Sequence, residues 1–181
     1  MFAGCKQMNL TIYGRTARLA HWIIVFAFVG LLFTEVTNQY FYSKSALMES
    51  FEFSFSGLGV EATPVEKLFI AKLARREVWI WHFWFGVIFL STSMLRFCIL
   101  PKSNRHIVFV SIVSVLFLSG FPLWLRAYIH IASEHQDICR SIHATAVYLL
   151  YAFVVFHIFH VLRSEFRSPG YITRIITGAK I

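Results

Sequence analysis

Long apolar runs alternate with shorter polar segments along this sequence. Crossing about 30 Å of hydrocarbon takes about 20 helical residues, and four runs are long enough to do so. They cover approximately residues 17–34, 78–100, 107–129 and 142–162. The pattern predicts an all-α membrane protein in which residues 1–181 form a single domain, a bundle of four transmembrane helices.

The segment between the first two runs, residues 35–77, is too long for a plain turn and is predicted to be a long loop. Loops of this length are usually functional. Within it, Thr63-Pro64-Val65-Glu66 has the form of a capping box with proline at the first helical position. Val65, Leu68, Phe69 and Leu73 then share one helical face, which predicts a short helix that lies on the membrane surface or runs straight into the second span.

Composition supports the membrane interpretation. Hydrophobic residues make up 57% of the chain, whereas soluble domains average about 45–50%. Charged residues make up only 14%. An ordinary soluble domain is therefore excluded.

Lys and Arg residues are distributed unequally between the two predicted sides of the membrane. With the N-terminus inside, the inner face would hold ten of the 17 Lys and Arg residues and a single acid, Glu165. The outer face, including residues 35–77, would then hold seven bases and eight acids. The positive-inside rule thus predicts a multi-pass membrane protein with both termini on the cytoplasmic side. Lipid is the expected partner, and nucleic-acid binding is not expected.

Histidines are the candidate functional residues of the four spans. Of eight histidines, five lie inside or at the edges of the apolar runs, where ionisable side chains mark functional sites. His21 and His157 are predicted near the inner boundary, and His82 and His143 near the outer boundary. Each leaflet would therefore contain one pair.

The spacing of these histidines fits two haems. His143 and His157 are 14 residues apart, so they share a helix face and are separated by about 21 Å along the axis. Neutral imidazoles can supply both axial ligands of a haem iron. The expected pairs are His82 with His143 for an outer haem and His21 with His157 for an inner haem. A single zinc ion is excluded, because its ligands must all lie within about 2.1 Å of it.

Other residues of the spans would support the cofactors. Small residues let helices approach closely, and three glycines in the spans could make room for a porphyrin or could simply allow contact between helices. They are Gly30, Gly86 and Gly120. Four arginines near the ends of the spans could pair with haem propionates or could anchor the helices at the membrane interface. They are Arg18, Arg96, Arg126 and Arg140. His160 is rotated about 100° from the face of His143, which makes it a quinone or hydrogen-bonding candidate or an ordinary packing residue.

Cysteines suggest no metal chemistry. Cys5, Cys98 and Cys139 are scattered and odd in number, which argues against a disulfide framework and a thiolate metal site. The sequence contains no Cys-x-x-Cys-His stretch, so covalent haem attachment is excluded as well.

Four motifs together resemble a known family. They are Arg15-Thr16-Ala17-Arg18-Leu19-Ala20-His21-Trp22, His82-Phe83-Trp84-Phe85-Gly86, Ser141-Ile142-His143-Ala144 and Val155-Phe156-His157-Ile158-Phe159. They resemble the membrane dihaem cytochrome b subunit of respiratory formate dehydrogenase. The same fold type occurs in the cytochrome b subunits of nickel-iron hydrogenases and in the prokaryotic 561-type cytochromes b.

The resemblance implies the same haem ligands, His82 with His143 and His21 with His157. It also implies two b-type haems, a quinone that reacts near the inner haem, and a location in the bacterial inner membrane. The quinone-side candidates are Asn104, His106 and His160, although residues 102–106 depart from the Asn-Ala-Gly-Gln-Lys-like stretch of the formate dehydrogenase subunit.

Three functions remain as hypotheses. The first is a membrane-anchoring dihaem cytochrome b subunit that transfers electrons between an outer, periplasmic iron-sulfur or cytochrome subunit and the quinone pool near the inner face. In that case the chemistry on the primary substrate belongs to the partner. The second is a stand-alone dihaem quinone oxidoreductase with a small diffusing donor. The third is a haem-free anchor or proton-conducting bundle.

Overall fold

The computed structural model describes residues 3–99, 104–125, 132–170 and 172–173, and in that part of the chain it contains helices and no strand. The elements are α1 Ala3–Val36, a π-helical turn Thr37–Phe41, α2 Lys44–Gly57, α3 Pro64–Ile99, α4 Asn104–Leu125 and α5 Ser133–Arg167. The predicted ends of the second and third spans, at residues 100 and 126–129, lie outside the described residues, as does Arg126.

Four helical stretches are long and apolar enough to cross a membrane: Gly14–Phe41, Pro64–Ile99, Asn104–Leu125 and Ser133–Arg167. The prediction of an all-α membrane protein with four spans is confirmed. Many large apolar side chains of these stretches are exposed, including Phe33 (70%), Leu118 (70%) and Phe156 (72%). Such surfaces suit contact with lipid.

The segment 35–77 differs from the expected long loop. The first transmembrane helix continues through the π-helical turn to Phe41, and α2 occupies much of the remainder. Helix α2 begins where the Ser43 hydroxyl accepts a hydrogen bond from the Ala46 amide at 3.2 Å. This cap was not recognised in the sequence, although Leu47, Phe51 and Phe55 follow it at a spacing of four residues.

The capping box forms as predicted at the start of α3. The Thr63 amide donates to Glu66 Oε2 at 2.8 Å, and the Glu66 amide donates to the Thr63 hydroxyl at 3.3 Å. Each side chain thus satisfies an amide that the first helical turn leaves without a partner. The helix then continues without a break to Ile99, so the alternative that runs straight into the second span is the one observed.

The chain forms two compact units, each with parts of α1 and α3. The unit Phe26–Ile88 contains the π-helical turn and α2. In it the buried Lys67 ammonium pairs with Glu52 of α2, and Arg75 Nε donates to Asn38 Oδ1 at 3.1 Å. These polar contacts connect α2 and the end of the first transmembrane helix to α3.

The other unit consists of Met1–Val25 and Phe89–Ile181. In it α4 packs along α5, and the Phe109 ring lies between two others, 5.9 Å from Phe89 and 5.2 Å from Phe153 between ring centroids. Arg96 of α3 donates from Nη1 to the Ala17 carbonyl of α1 at 2.7 Å. This unit therefore brings α1, α3, α4 and α5 together around the predicted inner histidines.

Candidate functional site

His21 of α1 and His157 of α5 lie side by side, as their predicted depths require. Their ring centroids are 6.2 Å apart and their planes differ by 61°. Two imidazoles on opposite sides of one metal ion are separated by two metal–nitrogen bonds of about 2 Å each, which places the ring centroids about 6 Å apart once half of each ring is added. The observed separation therefore fits two histidines that would together hold one haem iron.

Aromatic neighbours set the orientation of both rings. Phe153, one turn before His157, stacks on it with an interplanar angle of 4° and a centroid distance of 6.4 Å. Trp22 contacts the His21 ring edge-on at 5.9 Å. Stacked and edge-on arrangements are the favoured geometries of aromatic pairs, so each imidazole has a defined plane.

His82 of α3 forms a hydrogen bond to a hydroxyl of α1. Its Nδ1 lies 2.8 Å from the Thr34 hydroxyl. That hydroxyl also lies 3.0 Å from the Gly30 carbonyl and 2.8 Å from the Leu31 carbonyl. The arrangement that uses most of these contacts has the hydroxyl donating to a carbonyl and accepting from Nδ1–H, and we infer this tautomer for His82. A neutral ring then has its lone pair on Nε2, the nitrogen needed to ligate iron.

His143 of α5 has the same tautomer, here because its Nδ1 contacts a carbonyl directly. Its Nδ1 lies 2.9 Å from the Leu116 carbonyl, which can only accept, and 3.3 Å from the Ser119 hydroxyl. The lone pair is therefore on Nε2. Gly120 completes this contact, because a Cβ there would come within 3.0 Å of the His143 ring. Metal-binding histidines almost always donate their second ring nitrogen in this way.

Sequence reasoning missed the partners of these two rings. Thr34 is 4% exposed and Ser119 is 6% exposed, and each is a hydroxyl within an apolar run. That pattern was the available signal, but it does not identify the histidine that the hydroxyl contacts. His82 and His143 belong to different compact units, and their pairing remains a prediction.

The predicted quinone-side residues lie near the ends of α4 and α5. Asn104 is exposed at the first residue of α4, and His106 is half-buried two residues later. His160 is exposed on α5 and lies within electrostatic range of His157. Their assignment to a quinone site remains a prediction.

The predicted propionate and porphyrin contacts have different surroundings. Arg140 is exposed and pairs with Asp137 at 2.9 Å, whereas Arg18 is half-buried on α1. A Cβ at Gly86 would meet no described atom within 4 Å, but at Gly30 it would come within 2.6 Å of the Phe85 ring. Gly30 therefore serves helix contact in its own unit, and the role of Gly86 beside a porphyrin remains a prediction.

A zinc ion held by side chains alone needs more ligands than either histidine pair supplies. Zinc takes three or four protein ligands, and the described residues contain no group of three or more histidine, cysteine or acidic side chains that could hold a metal ion. A haem iron needs only one or two axial ligands from the protein. The donor set therefore fits haem better than zinc.

Comparison with known proteins identifies the family. The family model described as prokaryotic cytochrome b561 matches residues 12–107, more than half of the 181-residue chain. The match contains His21 and His82 and ends within α4. A search of curated proteins and a search of solved structures each found no match. The chain belongs to the prokaryotic cytochrome b561 family and is a membrane protein that transfers electrons through haem b.

Proposed function

We propose that this protein is a dihaem cytochrome b that carries electrons between a redox partner on the periplasmic face and the quinone pool near the cytoplasmic face. The observation that carries the proposal is the His21–His157 pair, with ring centroids 6.2 Å apart. The hydrogen bonds of His82 and His143 support it, because a neutral ring that donates from Nδ1 has its lone pair on Nε2, where it could bind iron.

The four histidines would hold the two haems in the predicted pairs, His21 with His157 and His82 with His143. Each haem iron supplies a one-electron couple between its ferric and ferrous forms, and the protein tunes it through ligands, hydrogen bonds and burial. The charge distribution of the sequence supports the orientation in which the first pair lies near the cytoplasmic face.

The chain itself would perform no bond-making chemistry on the primary substrate. The resemblance to formate dehydrogenase and hydrogenase subunits supports an outer-face iron-sulfur or cytochrome subunit as the electron donor. Co-purification of such a subunit with the full-length chain separates this role from that of a stand-alone quinone oxidoreductase.

The test is haem stoichiometry in the purified protein. A pyridine haemochrome assay should give two haems b per chain in the wild type and one in His21→Ala. His82→Ala and His143→Ala should each lose one haem, and the double variant should lose no more than either. His135→Ala is the matched control, because His135 is exposed on α5 and should leave both haems. A colourless wild-type protein would refute the proposal.

A further inference from the structure

Arg96 forms a hydrogen bond to a neighbouring transmembrane helix. It lies in the last turn of α3, and its Nη1 donates to the carbonyl of Ala17 at 2.7 Å. Ala17 precedes His21 by one helical turn on α1. An arginine that only anchors a helix extends towards lipid head groups, whereas this guanidinium is half-buried and bonded to a neighbouring helix.

Arg96 has no carboxylate partner among the described residues. The ion pairs found there include Lys67–Glu52 and Arg140–Asp137, and none of them involves Arg96. Glu165, the one acid that the charge distribution places on the inner side, accepts hydrogen bonds from the Gly170 and Ile172 amides. A guanidinium has five N–H donors, and the Ala17 carbonyl accounts for one of them.

The same guanidinium lies within electrostatic range of both His21 and His157. These rings form the pair with a separation that fits one haem, and a haem brings two carboxylates of its own. Arginine matches a carboxylate with two parallel hydrogen bonds. A half-buried charge in a transmembrane helix is costly unless it is paired, and a ligand carboxylate would pair with this one.

We propose that Arg96 binds a propionate of the haem at the His21–His157 pair and raises the midpoint potential of that haem. The inference rests on the proposed haem function. The ferric form has one more positive charge than the ferrous form, so a nearby cation destabilises it more. Arg96 therefore favours the reduced state of the inner haem.

The test compares a charge-removing and a charge-keeping variant by redox titration. In a His82→Ala background, which leaves the inner haem as the only one, Arg96→Gln should lower the midpoint potential and Arg96→Lys should lower it much less. Loss of haem from Arg96→Gln with retention in Arg96→Lys would also support the inference. Arg163→Gln is the control, because Arg163 is an exposed arginine on α5, six residues after His157, and it should leave the potential unchanged.

Three results would overturn the inference. They are an unchanged potential with retained haem in Arg96→Gln, equal losses in Arg96→Gln and Arg96→Lys, and an equal potential shift in Arg163→Gln. The first would exclude an electrostatic role, the second would indicate packing, and the third would indicate general surface charge. Wild-type protein is assayed in parallel, and its failure to bind haem would refute the haem function itself rather than the role of Arg96 alone.

Discussion

Replacing Thr34 with valine tests whether hydrogen bonding to His82 supports a haem ligand. Valine has nearly the same shape as threonine but cannot form the 2.8 Å hydrogen bond with His82 Nδ1. Because Thr34 is 4% exposed, water cannot easily replace its hydroxyl. We therefore expect a specific loss of haem affinity without a change of fold.

The magnitude follows from the type of bond. A neutral hydrogen bond contributes about 0.5–1.5 kcal/mol net, and loss of a hydrogen-bonding partner of a metal ligand typically lowers metal affinity about 10- to 100-fold. A hydroxyl is a weaker acceptor than a carboxylate, so the lower end of this range, about tenfold, is expected.

The assay measures haem transfer from the purified protein to excess apomyoglobin. It is performed in a His21→Ala background, in which the outer haem is the only one. Thr34→Val should release this haem about ten times faster than its parent, whereas Thr34→Ser, which keeps the hydroxyl, should resemble the parent. Thr145→Val is the control for losing a hydroxyl from a transmembrane helix, because Thr145 is exposed and bonds only its own helix at Ser141. Equal release rates in Thr34→Val and Thr145→Val would refute the reasoning.

Three further predictions concern other parts of the chain. Gly120→Leu should displace the His143 ring, which a Cβ would approach within 3.0 Å, and reduce the haem content from two to one. Gly57→Leu is the control, because Gly57 has open space around it, and this variant should keep two haems. A Gly120→Leu protein with two haems would contradict the prediction. Thr63→Ala should destabilise the start of α3 by about 1 kcal/mol, measured as faster proteolysis within residues 58–63; unchanged cleavage would show that the cap is dispensable. In a cysteine-free variant, a cysteine that replaces the exposed Ser56 should react with an impermeant maleimide in intact spheroplasts. A cysteine that replaces the exposed Ser168 should react only after lysis. The reverse pattern would mean that the protein has the opposite orientation in the membrane.

Features that depend on neighbours in the chain were predictable from the sequence. The four spans follow from apolar length, because the hydrocarbon thickness fixes how many helical residues are needed. The start of α3 at Pro64 follows from the capping box, whose two hydrogen bonds join residues three positions apart. The candidate ligands His143 and His157 follow from helical geometry along one element.

The same local rules failed where the signal was weak or ambiguous. Helix α2 was missed because Phe51, Phe53 and Phe55 alternate with polar residues as in a strand, which obscures the helical spacing of Leu47, Phe51 and Phe55. The Lys67–Glu52 pair that connects it to α3 is visible only in the structure. The expected loop at residues 35–77 was therefore mostly helix.

Partnerships between distant residues were decided only by the tertiary structure. The acceptor of His82 is 48 residues away at Thr34, and Arg96 bonds a carbonyl 79 residues away at Ala17. Sequence alone placed a hydroxyl and an arginine in apolar runs, but many helix rotations and pairings are compatible with that pattern. Packing selects one of them, because a buried hydrogen-bonding group must meet a partner at about 3 Å. The sequence thus determined which groups were available for haem binding, and the helix packing determined which groups orient each ligand.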